Sequence, residues 1–211
     1  MAQYIHLLTN QGIGLPTDLW VPSTERIKPQ SSFQGAIGIA SSIFKKYELS
    51  VEGFYKEMDN VVSFTEGSSL FVLEGWEEKV TQGNGKAYGA EIFLQKKKGD
   101  FSGWIGYTLS WNFRQFDDLN EGNVFPFRYD RRHDISVVGI YNLNDRINLS
   151  ATWVYGTGNA VSLPDLRVPG FNENVAFYQE DFSYNYVNTF GERNNFRMRA
   201  YHRFDFIYTY C

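Results

Sequence analysis

The chain has 211 residues, 18% of them aromatic, and a formal net charge of −4. That small, mixed charge excludes the basic patch on which nucleic-acid binding depends, and a single cysteine, Cys211, excludes a disulfide framework or a cysteine-based zinc site. No stretch approaches the roughly 20 apolar residues of a membrane-spanning helix, so any membrane-embedded fold must be a β-barrel.

Residues Met1 to Ser32 hold Gly12, Gly14, Pro16, Pro22 and Pro29, a density of breakers that predicts loop, with at most a short strand over Tyr4–Leu8. Regular structure is expected from SFQGAIGIASSI, where Phe33, Gly35, Ile37, Ile39 and Ile43 alternate with Gln34, Ala36, Gly38, Ala40 and Ser42. The brief FKK leads into a second strand, in which Tyr47, Leu49, Val51, Gly53 and Tyr55 share one face and Glu48, Ser50, Glu52 and Lys56 the other. So short a connection predicts an antiparallel hairpin.

Between Glu57 and Gly85 the alternation is lost and a long loop is expected. A third strand follows in GNGKAYGAEIFLQ, with Tyr88, Ala90, Ile92 and Leu94 opposite Gly89, Glu91, Phe93 and Gln95. The turn KKKGD joins it to FSGWIGYTLSWNF, the clearest run of all. There Phe101, Gly103, Ile105, Tyr107, Leu109, Trp111 and Phe113 fall on one face, a period of two that defines a strand. A loop over Arg114–Phe127 precedes a fifth strand, Arg132–Asn142. The turn LNDR links this to Ile147–Tyr155, and a third long loop, Gly156–Asn195, leads to a seventh strand over about Phe196–Tyr208.

Three hairpins are therefore expected, Phe33–Ile43 with Tyr47–Tyr55, Lys86–Gln95 with Phe101–Phe113, and Arg132–Tyr141 with Ile147–Tyr155, joined by long loops into one sheet. Ile37, Leu49, Ile92, Ile105, Leu109, Val137 and Leu149 should share an oily face, and Gln34, Glu52, Glu91, Ser110, Asp134 and Thr152 a polar one. Alternating tight turns and long loops, with aromatic residues at the ends of the oily face, fit an up-and-down transmembrane barrel with short periplasmic turns and long extracellular loops. Two other readings stay open: a soluble antiparallel binding module whose oily face packs on a second sheet, and a passive porin-like channel.

No catalytic residue, cofactor or metal ligand is expected. The GNGKAYG run lacks the Walker spacing and precedes a strand, so its glycines read as turn residues. His6, His133 and His202 are too dispersed for a helical zinc site, and Asp117, Asp118 and Glu121 lack EF-hand spacing. The dense charges of FPFRYDRRHD, from Arg128 to Asp134, read as ion pairs between neighbouring strands ahead of a ligand site. Ligand contacts are instead expected in the long loops, at Trp76, Asp117, Asp118, Phe125, Phe171 and Tyr178.

GLPTDLWVPSTERIKPQSS, YKEMDNVVSFTEG, GAEIFLQKKKGDFSGWIGYTLSW and FPFRYDRRHDISVVGIY resemble the carboxyl-terminal part of the barrel in TonB-dependent outer-membrane receptors, in particular those of the Bacteroidetes type. The resemblance runs through nearly all of residues 1–211. It implies a barrel of about 22 strands with a plugged lumen, embedded in outer-membrane lipid and energised by TonB through a plug domain. It also implies uptake of a siderophore, cobalamin, glycan or peptide. MAQYIHLLTNQG has no secretory signal pattern, seven strands leave two edges unpaired, and FIYTYC does not read as a closing strand. The chain is therefore expected to be a piece of a longer receptor, lacking the plug domain and the final strands.

Overall fold

The computed structural model describes residues 2–8, 19–65, 75–170 and 185–210. Its main element is a nine-stranded antiparallel sheet. In chain order the strands are β1 (Ala2–Gln3), β2 (Ile5–Leu8), β3 (Leu19–Pro22), β4 (Gln30–Ile43), β5 (Tyr47–Phe64), β6 (Val80–Lys96), β7 (Phe101–Gln115), β8 (Phe125–Pro126), β9 (His133–Asn144), β10 (Ile147–Gly156), β11 (Ala160–Val161), β12 (Pro164–Gly170), β13 (Asn185–Phe190), β14 (Phe196–Arg197) and β15 (Tyr201–Tyr210). The sheet runs β1-β4-β5-β6-β7-β9-β10-β15, with β8 beside β7, and is not closed.

All three expected hairpins form in one register. Ile37 pairs with Gly53, Ile92 with Tyr107, and Ala151 with Gly139. Pairs through the long loops continue the same faces, Val51 with Ile92, Ile105 with Val137, and Trp153 with Phe204. Partners opposite one another point the same way, so Ile37, Leu49, Ile92, Ile105, Leu109, Val137 and Leu149 share one face as expected. Glu52, Glu91, Thr108 and Asp134 lie in one row on the other. Aromatic residues end the oily face at both margins, Phe101, Tyr141 and Tyr208 near the tight turns and Tyr55, Tyr88 and Trp111 near the long loops.

The tight turns have local causes. Phe44 and Lys45 both take left-handed φ, 52° and 54°, the geometry that matches the twist of a two-stranded ribbon. Asn144 Oδ1 accepts from the amides of Arg146 and Ile147, each at 2.9 Å, closing the β9–β10 turn. Gly103 has φ 153°, and a Cβ there would fall on the Val138 carbonyl oxygen. Gly103→Ala is expected to destabilise the sheet by about 1–3 kcal/mol, the usual cost of overpacking. Urea unfolding reads this directly, and an unchanged midpoint would contradict the packing described.

Three expectations need correction. β5 and β6 run to 18 and 17 residues and reach into the presumed loop 57–85, so that 57–64 and 80–85 are strand. Gly83 and Gly85 lie inside β6 and are not turn residues: a Cβ at Gly83 would strike the Phe116 ring, and one at Gly85 the Arg114 guanidinium. The 156–195 loop contains β11 and the β12–β13 pair, and the expected seventh strand is split into β14 and β15.

The amino-terminal stretch also forms more structure than its breakers suggest, because β2 pairs with β3. This hairpin buries Leu8 and Val21 with Ile27 against Phe64 and Val80, at the loop end of β5 and β6. His6 is 1% exposed and its Nε2 lies 3.0 Å from Ser23 Oγ. Desolvation lowers its pKa below the ordinary 6.5, against an opposing backbone hydrogen bond at Lys28. The unfolded chain therefore takes up this proton at higher pH than the folded one. The contribution is full above about 6.5 and is lost as the pH falls below it. Protection of the β2 and β3 amides, taken relative to their intrinsic exchange rates, should fall between pH 7 and 5, and His6→Gln should flatten that dependence. Equal pH dependence in both proteins would contradict the assignment.

Candidate functional site

At the long-loop end, the chain folds over the polar face of the sheet. Beyond Gln115 it turns through Asn120 and Glu121, both at left-handed φ, and returns as β8, where Phe125 pairs with Arg114. Phe116, Leu119 and Phe125 pack there on Met58 and Val61 of β5. Met58 and Val61 share that face because the register shifts between Asp59 and Val61, with Asn60 at φ 57°. The extra residue of a bulge offsets the alternation.

Beside this cap lies Asp130, fully buried. Its Oδ1 accepts from the Asn112 amide at 2.7 Å. Its Oδ2 accepts from Arg132 Nη2 at 3.2 Å and from Arg197 Nη2, and Arg197 Nη1 donates to the Asp130 carbonyl oxygen. Arg197 reaches it because β14 pairs with β11. The expected pairing of FPFRYDRRHD between neighbouring strands is replaced by another arrangement: Arg131 meets Asp134 at 3.6 Å within the run itself, and the buried carboxylate is shared with an arginine 67 residues away.

Further arginines surround the same cap. Arg114 Nη1 donates to Asn112 Oδ1 at 2.6 Å and to the Phe113 carbonyl, and its guanidinium stacks over Phe127 at 4.2 Å. Burial pushes Arg114 down to about 10. Arg132 stacks over Trp111 at 4.6 Å and Arg193 over Phe125 at 5.4 Å. Arg193 also donates to Ser63 Oγ and to the Phe64 carbonyl. A cavity of about 20 Å³ remains, walled by Phe116, Phe125 and Phe127. Its polar lining is Ser63, Arg114, Arg128 and Asn194.

Below the cap, the polar face carries a shallow groove of about 210 Å³ between Glu91, Trp104, Thr108 and Asp134. Phe93 and Trp104 meet there with ring centroids 5.8 Å apart. Glu52 and Glu91 are direct partners in the register, a like-charge pair that is unfavourable unless both are well solvated. This is the chemistry of a wet surface.

The expected ligand residues do not converge. Trp76 is half-buried against the amino-terminal hairpin's cluster. Asp117 and Asp118 are exposed, and Asp118 Oδ2 accepts from Thr81 Oγ1 at 3.2 Å. Phe125 is 4% exposed within the cap. Phe171 and Tyr178 lie outside the described residues. His133 Nδ1 is 2.9 Å from the Tyr107 hydroxyl, and no metal-holding cluster occurs among the described residues. Arg114, Arg193, Asn194 and Arg197 were missed by sequence reasoning. For Arg193 and Arg197 the one signal is that they flank NNF in GERNNFRMR, and Arg114 has none.

No family model and no curated protein matches the chain. Among solved structures it is similar to the FrpB iron transporter from Neisseria meningitidis (F3-3 variant), with a TM-score of 0.54 and 13% identity over 90% of this chain. The chain spans 25% of that transporter's length. At this identity the likeness is one of fold.

Proposed function

We propose that the chain forms part of the barrel wall of an outer-membrane receptor that takes up a scarce nutrient, with no catalysis of its own. The observation that carries this is the oily face. Ile37 is 83% exposed, Ile105 46% and Phe204 64%, and no second sheet lies over them among the described residues. An uncovered apolar surface of this extent marks an interaction site, and aromatic rows at both margins suit a lipid bilayer. A spanning strand needs about 9–11 residues, so β5, β6 and β7 rise beyond the row of Tyr55, Tyr88 and Trp111. The Lys86–Glu57 pair, 3.8 Å apart, then sits at the water interface, and the cap with its arginines lies outside the bilayer.

The solvated groove at Glu91 and Asp134 suits a wet lumen. The fold likeness to an iron transporter supports a transport role, and the resemblance of GAEIFLQKKKGDFSGWIGYTLSW and FPFRYDRRHDISVVGIY to TonB-dependent receptors supports energised uptake. On this reading the partners are outer-membrane lipid, TonB through a plug domain, and a siderophore, cobalamin, glycan or peptide ligand held by the long loops. A passive channel is the alternative. Cells carrying the whole receptor should accumulate ligand saturably, and a protonophore should abolish the accumulation. Uptake linear in concentration and indifferent to the protonophore would establish the channel instead. In the same cells, deleting residues 170–184 should weaken ligand binding at least tenfold while leaving the barrel folded, and unchanged affinity would remove that loop from the contact surface.

A further inference from the structure

The cap gathers Arg114, Arg128, Arg132, Arg193 and Arg197 around one buried carboxylate among the described residues, Asp130. That carboxylate is committed: Asn112 occupies Oδ1, and Arg132 and Arg197 occupy Oδ2. Arg114 and Arg128 share the cavity walls, and no acidic side chain lines that cavity among the described residues. Arg128 Nε and Nη1 are both buried there without a hydrogen-bond partner. A buried guanidinium nitrogen without an acceptor is costly, and here two occur on one side chain.

Two guests fit a space of about 20 Å³, since roughly 10–15 Å³ holds one water. Water accepts but must also donate, and it adds no charge against the surplus of guanidiniums. A halide accepts from every side and neutralises one cation. Phe116 and Phe125, 2% and 4% exposed, make one side of the site apolar, which strengthens the attraction between a small anion and its arginines. We propose that the space between Arg114 and Arg128 is a binding site for one small monovalent anion of chloride size. The site ties β7, through Arg114, to the segment between β8 and β9, through Arg128, and so fixes the cap on the sheet.

The test uses the whole receptor in detergent micelles, with sodium chloride replacing sodium gluconate at constant ionic strength. Chloride should raise the thermal midpoint saturably by about 2–4 °C, bromide should do the same, and Arg128→Gln should lose the rise. A second readout uses the unmodified chain alone: the chloride-35 resonance should broaden and be narrowed again by bromide, and bromide-soaked crystals should show an anomalous peak between Arg114 and Arg128. Midpoints identical in chloride and gluconate, a rise kept in full by Arg128→Gln, or a bromide peak elsewhere would each overturn the proposal. If Arg128→Gln does not fold, the resonance and the anomalous peak decide.

Discussion

Asp130→Asn is expected to destabilise the protein by about 3–5 kcal/mol, the cost of removing one partner from a buried ion pair. The amide preserves shape and still accepts from Asn112, so packing is nearly unchanged. What is lost is the charge against Arg132 and Arg197, whose side chains are 28% and 32% exposed and cannot both turn to water without pulling β14 away from β11. The effect should appear in urea unfolding and as faster amide exchange over residues 125–133 and 196–198. Replacing the triad together, with Asp130→Leu, Arg132→Met and Arg197→Met, should recover much of the loss, because apolar substitutes leave no charge stranded. An Asp130→Asn midpoint within error of the unmodified chain would show that the carboxylate contributes no more than its shape.

Ile105→Arg should cost about 2–4 kcal/mol in a complete barrel in lipid, as arginine does on the outer face near the bilayer midplane. Ile105 lies between the two aromatic rows, in register with Leu94 and Val137. Thr108→Arg, three residues on, faces the groove that holds Glu91 and Asp134, where a cation meets two carboxylates. It should be nearly neutral. Equal losses from both substitutions would contradict the assignment of faces, and equal tolerance would contradict a lipid environment.

The register of Ile105 is legible in the sequence, because a period of two has only two phases and one of them puts Phe101, Ile105, Leu109 and Trp111 together. Hairpin turns then fixed which strands neighbour which. The ends of β5 and β6 were not legible. Asn60 inserts a bulge, so DNVVSF breaks the alternation just where the strand continues, and Gly83 and Gly85 look like turn residues when their role is to leave room for Phe116 and Arg114. The cap around Asp130 was hidden for a different reason. It is assembled from contacts such as Arg197 with Asp130 and Arg193 with Ser63, 67 and 130 residues apart. Nothing local in either segment announces its partner. Trp76 and Phe125 read as aromatic loop residues open to a ligand, and both pack against hydrophobic partners, the usual fate of an aromatic ring with apolar neighbours in reach.

The central claim is that one face of this sheet meets lipid and the other meets water. A nitroxide scan from Phe101 to Phe113, one labelled cysteine at a time in Cys211→Ser background, with the barrel in bilayers, tests it most directly. Collisions with oxygen, which concentrates in lipid, and with a water-soluble nickel chelate should alternate with a period of two. Oxygen should dominate at positions 105, 107 and 109, and the chelate at 104, 106 and 108. A scan with no alternation, or with the chelate reaching positions 105 and 109 as readily as 106 and 108, would contradict it.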